Sequence, residues 1–221
     1  MTVHFRTMSG SMTLVDLKKV SVRAGAVRIL DDVTVTIAAG EAVGIRGLNG
    51  SGKTTLLRLL ATLHPLSGGS GTVLGADLDT SDKYDVRCAI GYIGHQPGLY
   101  PELTLLENLS FVARSRGLTE SDARESLRMV GLEGAIDRRA GHTSHGMQRR
   151  AEFARLLMTQ PTLLLLDEPH SALDADAVEL VDGLVDRTLD RGGAAVLVSH
   201  QPDRLESLVG RTYEIRGGTL R

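Results

Sequence analysis

Residues 47–55 read GLNGSGKTT, set between a short apolar run, EAVGIRG (41–47), and the helical pattern TTLLRLLATL (54–63). The stretch fits G-x-x-x-x-G-K-[ST] in a strand–turn–helix context, where glycines let backbone N–H groups wrap around phosphates. That context narrows the fold. A helix that leaves the end of a buried strand calls for a sheet with crossover helices packed on it. The candidate phosphate-binding residues are Gly47, Asn49, Gly50, Ser51, Gly52, Lys53, Thr54 and Thr55. Lys53 is placed to reach β- and γ-phosphates, and the Thr54 hydroxyl suits Mg2+.

The rest of the chain supplies the elements this fold requires. Apolar and polar residues alternate over 14–22 (LVDLKKVSV) and 27–37 (VRILDDVTVTI), which predicts two half-buried antiparallel strands. AIGYIGHQ (89–96), TLLLLD (162–167) and AAVLVSH (194–200) read as core strands; the second is apolar throughout, as burial on both faces demands. Residues 104–139 read as helices. TLLE (104–107) and TESD (119–122) are capping boxes, and Gly131 suits a helix stop. In the stretch following Asp174, Val178, Val181, Leu184, Val185 and Leu189 share one helical face. The expected class is α/β: a mostly parallel sheet, an antiparallel N-terminal β subdomain and an α-helical insertion. One domain is expected over 1–221, with residues 13–95 and 160–221 forming the core and β subdomain and 97–159 the helical subdomain.

Each expected core strand carries polar residues at its C-terminal end: the glycine-rich turn, Gln96, Asp167-Glu168, and Ser199-His200. Ligands of open α/β sheets bind at that edge. A carboxylate at the end of a buried strand is costly without a cation, so Asp167 points to Mg2+. Glu168 beside a γ-phosphate can orient and polarise an attacking water as general base. HTSHGMQRR (142–150) stands before the helical run AEFARLL; free N–H groups and the positive dipole end there favour an anion.

Charge and cysteine content exclude other classes. A net charge of −2 argues against a dedicated nucleic-acid binder. The single cysteine, Cys88, makes neither an internal disulfide nor a cysteine-based zinc site, and is expected to be a small half-buried hydrophobe. His4, His64, His95 and His142 have no metal-ligand spacing. No apolar run approaches the roughly 20 residues that span a bilayer. The first dozen residues lack an apolar signal region and read as a loose tail, or as a start placed too early with Met8 or Met12 as the true one.

The ordered set of motifs resembles the nucleotide-binding subunit of ABC transporters over essentially the whole chain, a P-loop NTPase core with a helical insertion. Gln96 stands at that family's Q-loop, SALD (171–174) at its D-loop and His200 at its switch histidine; TSHGM (143–147) takes the place of the LSGGQ signature. The resemblance implies an ATPase using ATP and Mg2+, peripheral on the cytoplasmic face of the membrane, working as a homodimer or pseudo-dimer with a separate transmembrane permease and no nucleic acid. It implies that Glu168, His200 and Lys53 act on the γ-phosphate, and that Thr54, Gln96 and Asp167 hold Mg2+. Ser144 and Gly146 would meet the ATP of the partner subunit, and Asp174 would communicate across the dimer. The chain departs from the pattern at His145 and Met147, within the signature, and at Ala24, where the family places an adenine-stacking aromatic; base stacking should be weaker there, or come from Arg23 or Arg28 instead. His170 follows Asp-Glu-Pro without an assigned role. The stretch 92–118 (YIGHQPGLYPELTLLENLSFVARSRGL) resembles the haem-export ATPases of cytochrome c maturation. A soluble cassette acting on ribosomes or DNA is the alternative, and a small-molecule kinase a distant third.

Overall fold

The N-terminal hairpin shows how local pattern becomes structure. In the computed structural model, which describes residues 7–8, 11–170, 175–199 and 202–221, strands β2 (Ser11–Ala24) and β3 (Val27–Ala38) pair antiparallel, with Ala24 opposite Val27 across a two-residue turn. Their alternation buries Leu17, Val20, Val22, Leu30, Val33, Val35 and Ile37 on one face. Both strands match the alternating segments, extended by a few residues. A two-residue strand β1 (Thr7–Met8) folds back on β2; the remainder of the expected N-terminal tail up to residue 10 lies outside the described residues.

The free edge of β2 is covered by β5 (Gly68–Val73), which continues into β6 (Ala76–Asp77). No expectation covered these two strands, because GGSGTV reads as a turn. The glycines have a packing cause: a Cβ on Gly69 would stand 2.2 Å from the Lys19 carbonyl oxygen, and Gly69 has φ +81°.

The second sheet runs in the order β11-β10-β4-β9-β8-β7. β4 (Ala42–Arg46), β9 (Ala194–Val198) and β8 (Leu163–Asp167) are its parallel centre, flanked by β7 (Ile90–Ile93) and by β10 (Arg211–Arg216), which turns into the antiparallel β11 (Thr219–Leu220). Every residue of β8 and β9 is buried, and each buried leucine side chain of β8 contributes about 2 kcal/mol of apolar burial. α1 (Lys53–Leu60) packs Leu56, Leu57, Leu59 and Leu60 into the same core. α6 (Pro202–Leu208) lies between β9 and β10 in the chain. Two strands are shorter than expected. The 89–96 strand stops at Ile93, where His95 and Gln96 leave the ladder, and the 194–200 strand stops at Val198, with Ser199 outside it and His200 outside the described residues.

The chain divides into two compact units. One comprises residues 1–92, 161–169 and 187–221; the other comprises 93–160 and 170–186. The second is helical: α2 (Leu105–Ser115), α3 (Glu120–Met129), α4 (His145–Thr159) and most of α5 (Ala175–Asp190). Both capping boxes are present. Thr104 and Glu107 exchange bonds at α2, as do Thr119 and Asp122 at α3. α3 ends before Gly131, whose φ is +73°. α5 buries Val181, Leu184 and Val185. The helix of the signature begins at His145 rather than after Arg150, so Ser144 is its N-cap and Gly146 lies inside its first turn. Among the described residues no helix is long and apolar enough to cross a membrane.

Cys88 corrects an expectation. It is exposed, in the 3-10 segment Ser81–Ala89, where no residue is buried. Its Sγ lies 3.4 Å from the Asp85 carbonyl oxygen.

Candidate functional site

Two glycines shape the turn between β4 and α1. Gly47 has φ +152°, and a Cβ there would stand 2.5 Å from the Ile215 carbonyl oxygen. Gly52 is the N-cap of α1 with φ +110°, and a Cβ would stand 2.8 Å from Leu30 Cδ2. Both positions demand backbone that only glycine adopts without strain. No side chain caps α1 and no acidic residue occupies its first turn. Its N-terminal amides and positive dipole end therefore remain for an anion.

Lys53 is 7% exposed and its Nζ donates to the carbonyl oxygens of Gly47 (2.8 Å) and Leu48 (3.0 Å). The ammonium thus lies folded back over the turn. Thr54 Oγ1 donates to Asp167 Oδ2 at 2.7 Å, bridging 113 positions of sequence. Asp167 is 3% exposed at the end of β8. A hydroxyl oxygen beside a carboxylate is the hard-oxygen donor set that Mg2+ prefers, so these residues fit that ion. Glu168, the next residue, has φ +51°, and its N–H donates to the Val198 carbonyl oxygen at 2.9 Å. A left-handed glutamate costs on the order of 1 kcal/mol. The bond to β9 holds the backbone in that turn as it leaves the strand. Parallel register sets Asp167 beside Val198 and Val198 beside Ile45. The sheet therefore brings Gly47, Asp167, Glu168 and Ser199 to one edge, although they come from three separate stretches of chain.

Ala24 is exposed at the end of β2. Arg23 and Arg28 face each other across the hairpin, and Arg28 Nη1 is paired with Asp31 Oδ1 at 2.7 Å. An arginine contact to a base from Arg28 would compete with that pair.

In the helical unit, Ser144 is exposed and its Oγ accepts the Met147 N–H at 3.2 Å. Gln96 is exposed in the loop that follows β7. Asp174, with the rest of the SALD stretch, and His200 lie outside the described residues. His170 is buried at 7% exposure, its Nε2 3.3 Å from Asp182 Oδ1.

Three polar residues of this unit escaped the sequence reading. Asn108 is 4% exposed; its Oδ1 accepts the Tyr100 N–H at 2.7 Å and its Nδ2 donates to the carbonyl oxygens of Tyr100, Leu103 and Thr104. Arg149 and Glu152, on α4, form an ion pair at 2.9 Å with side chains 1% and 2% exposed. Arg149 also donates to the carbonyl oxygens of Gly94 (2.8 Å) and His95 (3.1 Å), and Glu152 Oε1 accepts the Gly98 N–H at 2.9 Å. Burial pushes the Glu152 carboxyl above the usual carboxylate range, against the opposing pull of the Gly98 N–H and the cations of Arg149 and Arg155. A sequence signal existed: Arg149 and Glu152 fall in the same helical arc as Phe153 and Leu156, where charge is out of place.

Known proteins with this constellation are recognisable. Residues 30–171 match the ABC transporter family. The cytochrome c biogenesis ATP-binding export protein CcmA of Dechloromonas aromatica is 37% identical over 88% of this chain and 95% of its own length. The protein of the same name from Paracoccus denitrificans is 41% identical over 86% of this chain and 83% of its own. Among solved structures, an ATP-binding subunit of an ABC transporter superposes with a TM-score of 0.86 at 28% identity, covering 94% of this chain and 88% of that one. A dimeric ATP-binding cassette in a post-hydrolysis state, bound to ADP and phosphate, gives 0.84 at 28% identity over 94% and 96%. The phosphate turn, the strand-end carboxylates and these likenesses converge: the chain belongs to the ABC transporter family and is one of its ATP-binding, ATP-hydrolysing subunits.

Proposed function

We propose that this cassette powers export in cytochrome c biogenesis through a separate membrane-spanning partner, with haem or a haem-bearing species as cargo. The observation that carries the catalytic part is the 2.7 Å bond between Thr54 and Asp167, which ties the phosphate turn to the strand that presents Glu168. The cargo reading rests on the relatives' names and on the resemblance of residues 92–118.

ATP enters with its phosphates over the amides of residues 47–55. Lys53 exchanges its two carbonyl partners for β- and γ-phosphate oxygens, a charge-assisted contact stronger than the neutral ones it gives up. Thr54 and Asp167 would hold Mg2+, which would neutralise phosphate charge, and Gln96 would take the metal-contact role that the family assigns it. Glu168 orients a water for in-line attack and takes its proton. A second cassette, identical or homologous, brings Ser144 and the Gly146 amide to the same γ-phosphate. Asp174 and His200 take the dimer-communication and γ-phosphate roles that the family assigns them. The cassette acts at the cytoplasmic face of the membrane, where hydrolysis reopens the dimer and resets the partner.

Glu168→Gln is the test. It is expected to lower turnover by about 10²–10⁴-fold while keeping ATP bound, and so to trap an ATP-dependent dimer visible by gel filtration. Adding Ser144→Arg should return it to the monomer. Pulled from native membranes in mild detergent with Mg-ATP, the tagged variant should bring down a polytopic membrane protein. A monomer at saturating ATP with that partner present would sink the shared-phosphate arrangement. Recovery of ribosomal proteins or nucleic acid alone would replace the transport reading with a soluble one. A membrane partner that carries no haem and does not respond to it would remove haem as cargo.

A further inference from the structure

The loop 94–98 is held by side chains of another element. Three of its backbone groups, the Gly94 and His95 carbonyls and the Gly98 N–H, are bound by two side chains of α4. The chemistry is matched in sign. The carbonyl oxygens meet the Arg149 guanidinium, the amide meets the Glu152 carboxylate, and the two charges close on each other at 2.9 Å. A buried ion pair is a poor source of net stability, because desolvation offsets most of its attraction. Its contribution here is geometric. A planar guanidinium has several fixed donors and can serve two carbonyls and a carboxylate at once. Gln96 sits exposed inside the segment, with anchored residues on both sides of it. The chain after the loop is pinned again, by Asn108, at Tyr100, Leu103 and Thr104.

We propose that Arg149 and Glu152 are positioning residues that fix the Gln96 loop to the helix carrying Ser144, so that the two are displaced together. The inference rests on the reading of Gln96 as a side chain that meets the Mg-ATP site. Ser144 caps α4 five residues before Arg149, and five residues of helix rise only about 8 Å. A shift of α4 that carries Ser144 toward or away from a phosphate therefore carries the Gln96 backbone with it.

The test uses the full chain and reads the loop directly. Amide hydrogen exchange at Gly98 should rise about tenfold or more in Arg149→Met and in Glu152→Leu, while α2 and the phosphate turn keep their protection. Glu152→Gln, which retains an acceptor for the Gly98 N–H, should recover most of the lost protection. In ATP hydrolysis, Arg149→Met should lower kcat about tenfold with KM for ATP within about twofold, as expected when a group is misplaced rather than removed. Unchanged exchange at Gly98 in folded variants would overturn the clamp, whatever Gln96 does. If Arg149→Met fails to fold, the contrast between Glu152→Gln and Glu152→Leu decides the same question. Raised exchange with unchanged kcat would overturn the link from loop position to turnover. Unchanged kcat in Gln96→Ala would instead remove the role of Gln96 and leave the exchange signature standing, so the two failures are distinct.

Discussion

Helices α2 and α4 both begin with a hydroxyl residue at the N-cap, yet only α2 has a carboxylate that returns the bond. At α2, Thr104 Oγ1 accepts the Glu107 N–H at 3.1 Å and Glu107 Oε2 accepts the Thr104 N–H at 2.7 Å. α3 repeats the arrangement with Thr119 and Asp122. At α4, Ser144 accepts the Met147 N–H, but the third residue is a methionine and the first turn holds no acid. The carboxylates of α2 and α3 occupy the positive end of each dipole and complete the structure. The end of α4 lacks such a charge and so keeps its affinity for an external one. One hydroxyl motif thus stands before an acid in two helices and before a methionine in the third, the helix end proposed to meet a phosphate.

Met147→Glu would give α4 the arrangement of α2 and is the strongest challenge to this contrast. A carboxylate there competes with the γ-phosphate, so turnover should fall at least about tenfold, while α4 gains a few tenths of a kcal/mol or more. Steady-state hydrolysis and a thermal melt on one preparation check both. Normal turnover would mean that this helix end meets no phosphate. Asn108→Ala should be the largest stability loss on the α2 side, about 3 kcal/mol, because it strips partners from buried backbone groups of 100–104. Denaturant unfolding measures it, and ATP affinity should not change. Thr104→Ala and Ser144→Ala sharpen the comparison. Each should cost about 1 kcal/mol as a lost N-cap, but only Ser144→Ala should also slow hydrolysis.

The smallest effects are in pH. Glu107 and Asp122 are held below the usual carboxylate range by the backbone N–H and then the hydroxyl of their capping threonines. A depressed carboxyl stabilises the fold above its unfolded pKa, and that contribution is lost as pH falls through its folded pKa. Glu107→Gln should therefore flatten the acid limb of the stability profile. Glu152 has the opposite sign. Raised by burial, its contribution is fully present below the unfolded pKa and is lost as pH rises through the folded one. Glu152→Gln should remove that decline on the less acidic side, and chemical unfolding across pH 4–8 would show the two limbs responding to different substitutions. An identical profile in both variants would remove this assignment.

The phosphate turn was legible because its constraints are local. Glycines at 47 and 52, a lysine and a threonine, between an apolar strand and a helix, leave few other structures for that stretch. The capping boxes at Thr104 and Thr119 were legible for the same reason, since four consecutive residues contain all the partners. β5 was missed because its glycines answer to β2, some fifty residues away, and local propensity reads them as a turn. The exposure of Cys88 was missed as well, since a single residue in a 3-10 segment carries no period to show which way it faces.

What the sequence determined by itself was the chemistry available: a phosphate turn, two carboxylates after a buried strand, and a polar, glycine-containing turn at a helix entrance. What the tertiary structure decided was which of these meet. The packing of α1 on β8 places Asp167 against Thr54 across 113 positions, and α4 folds back so that Arg149 and Glu152 grip the backbone of residues 94–98. Backbone carbonyls and amides are the same in every residue, so no pattern in the loop announces that it will be held. Only the arrival of a guanidinium and a carboxylate from another helix, buried where water cannot compete, selects those partners.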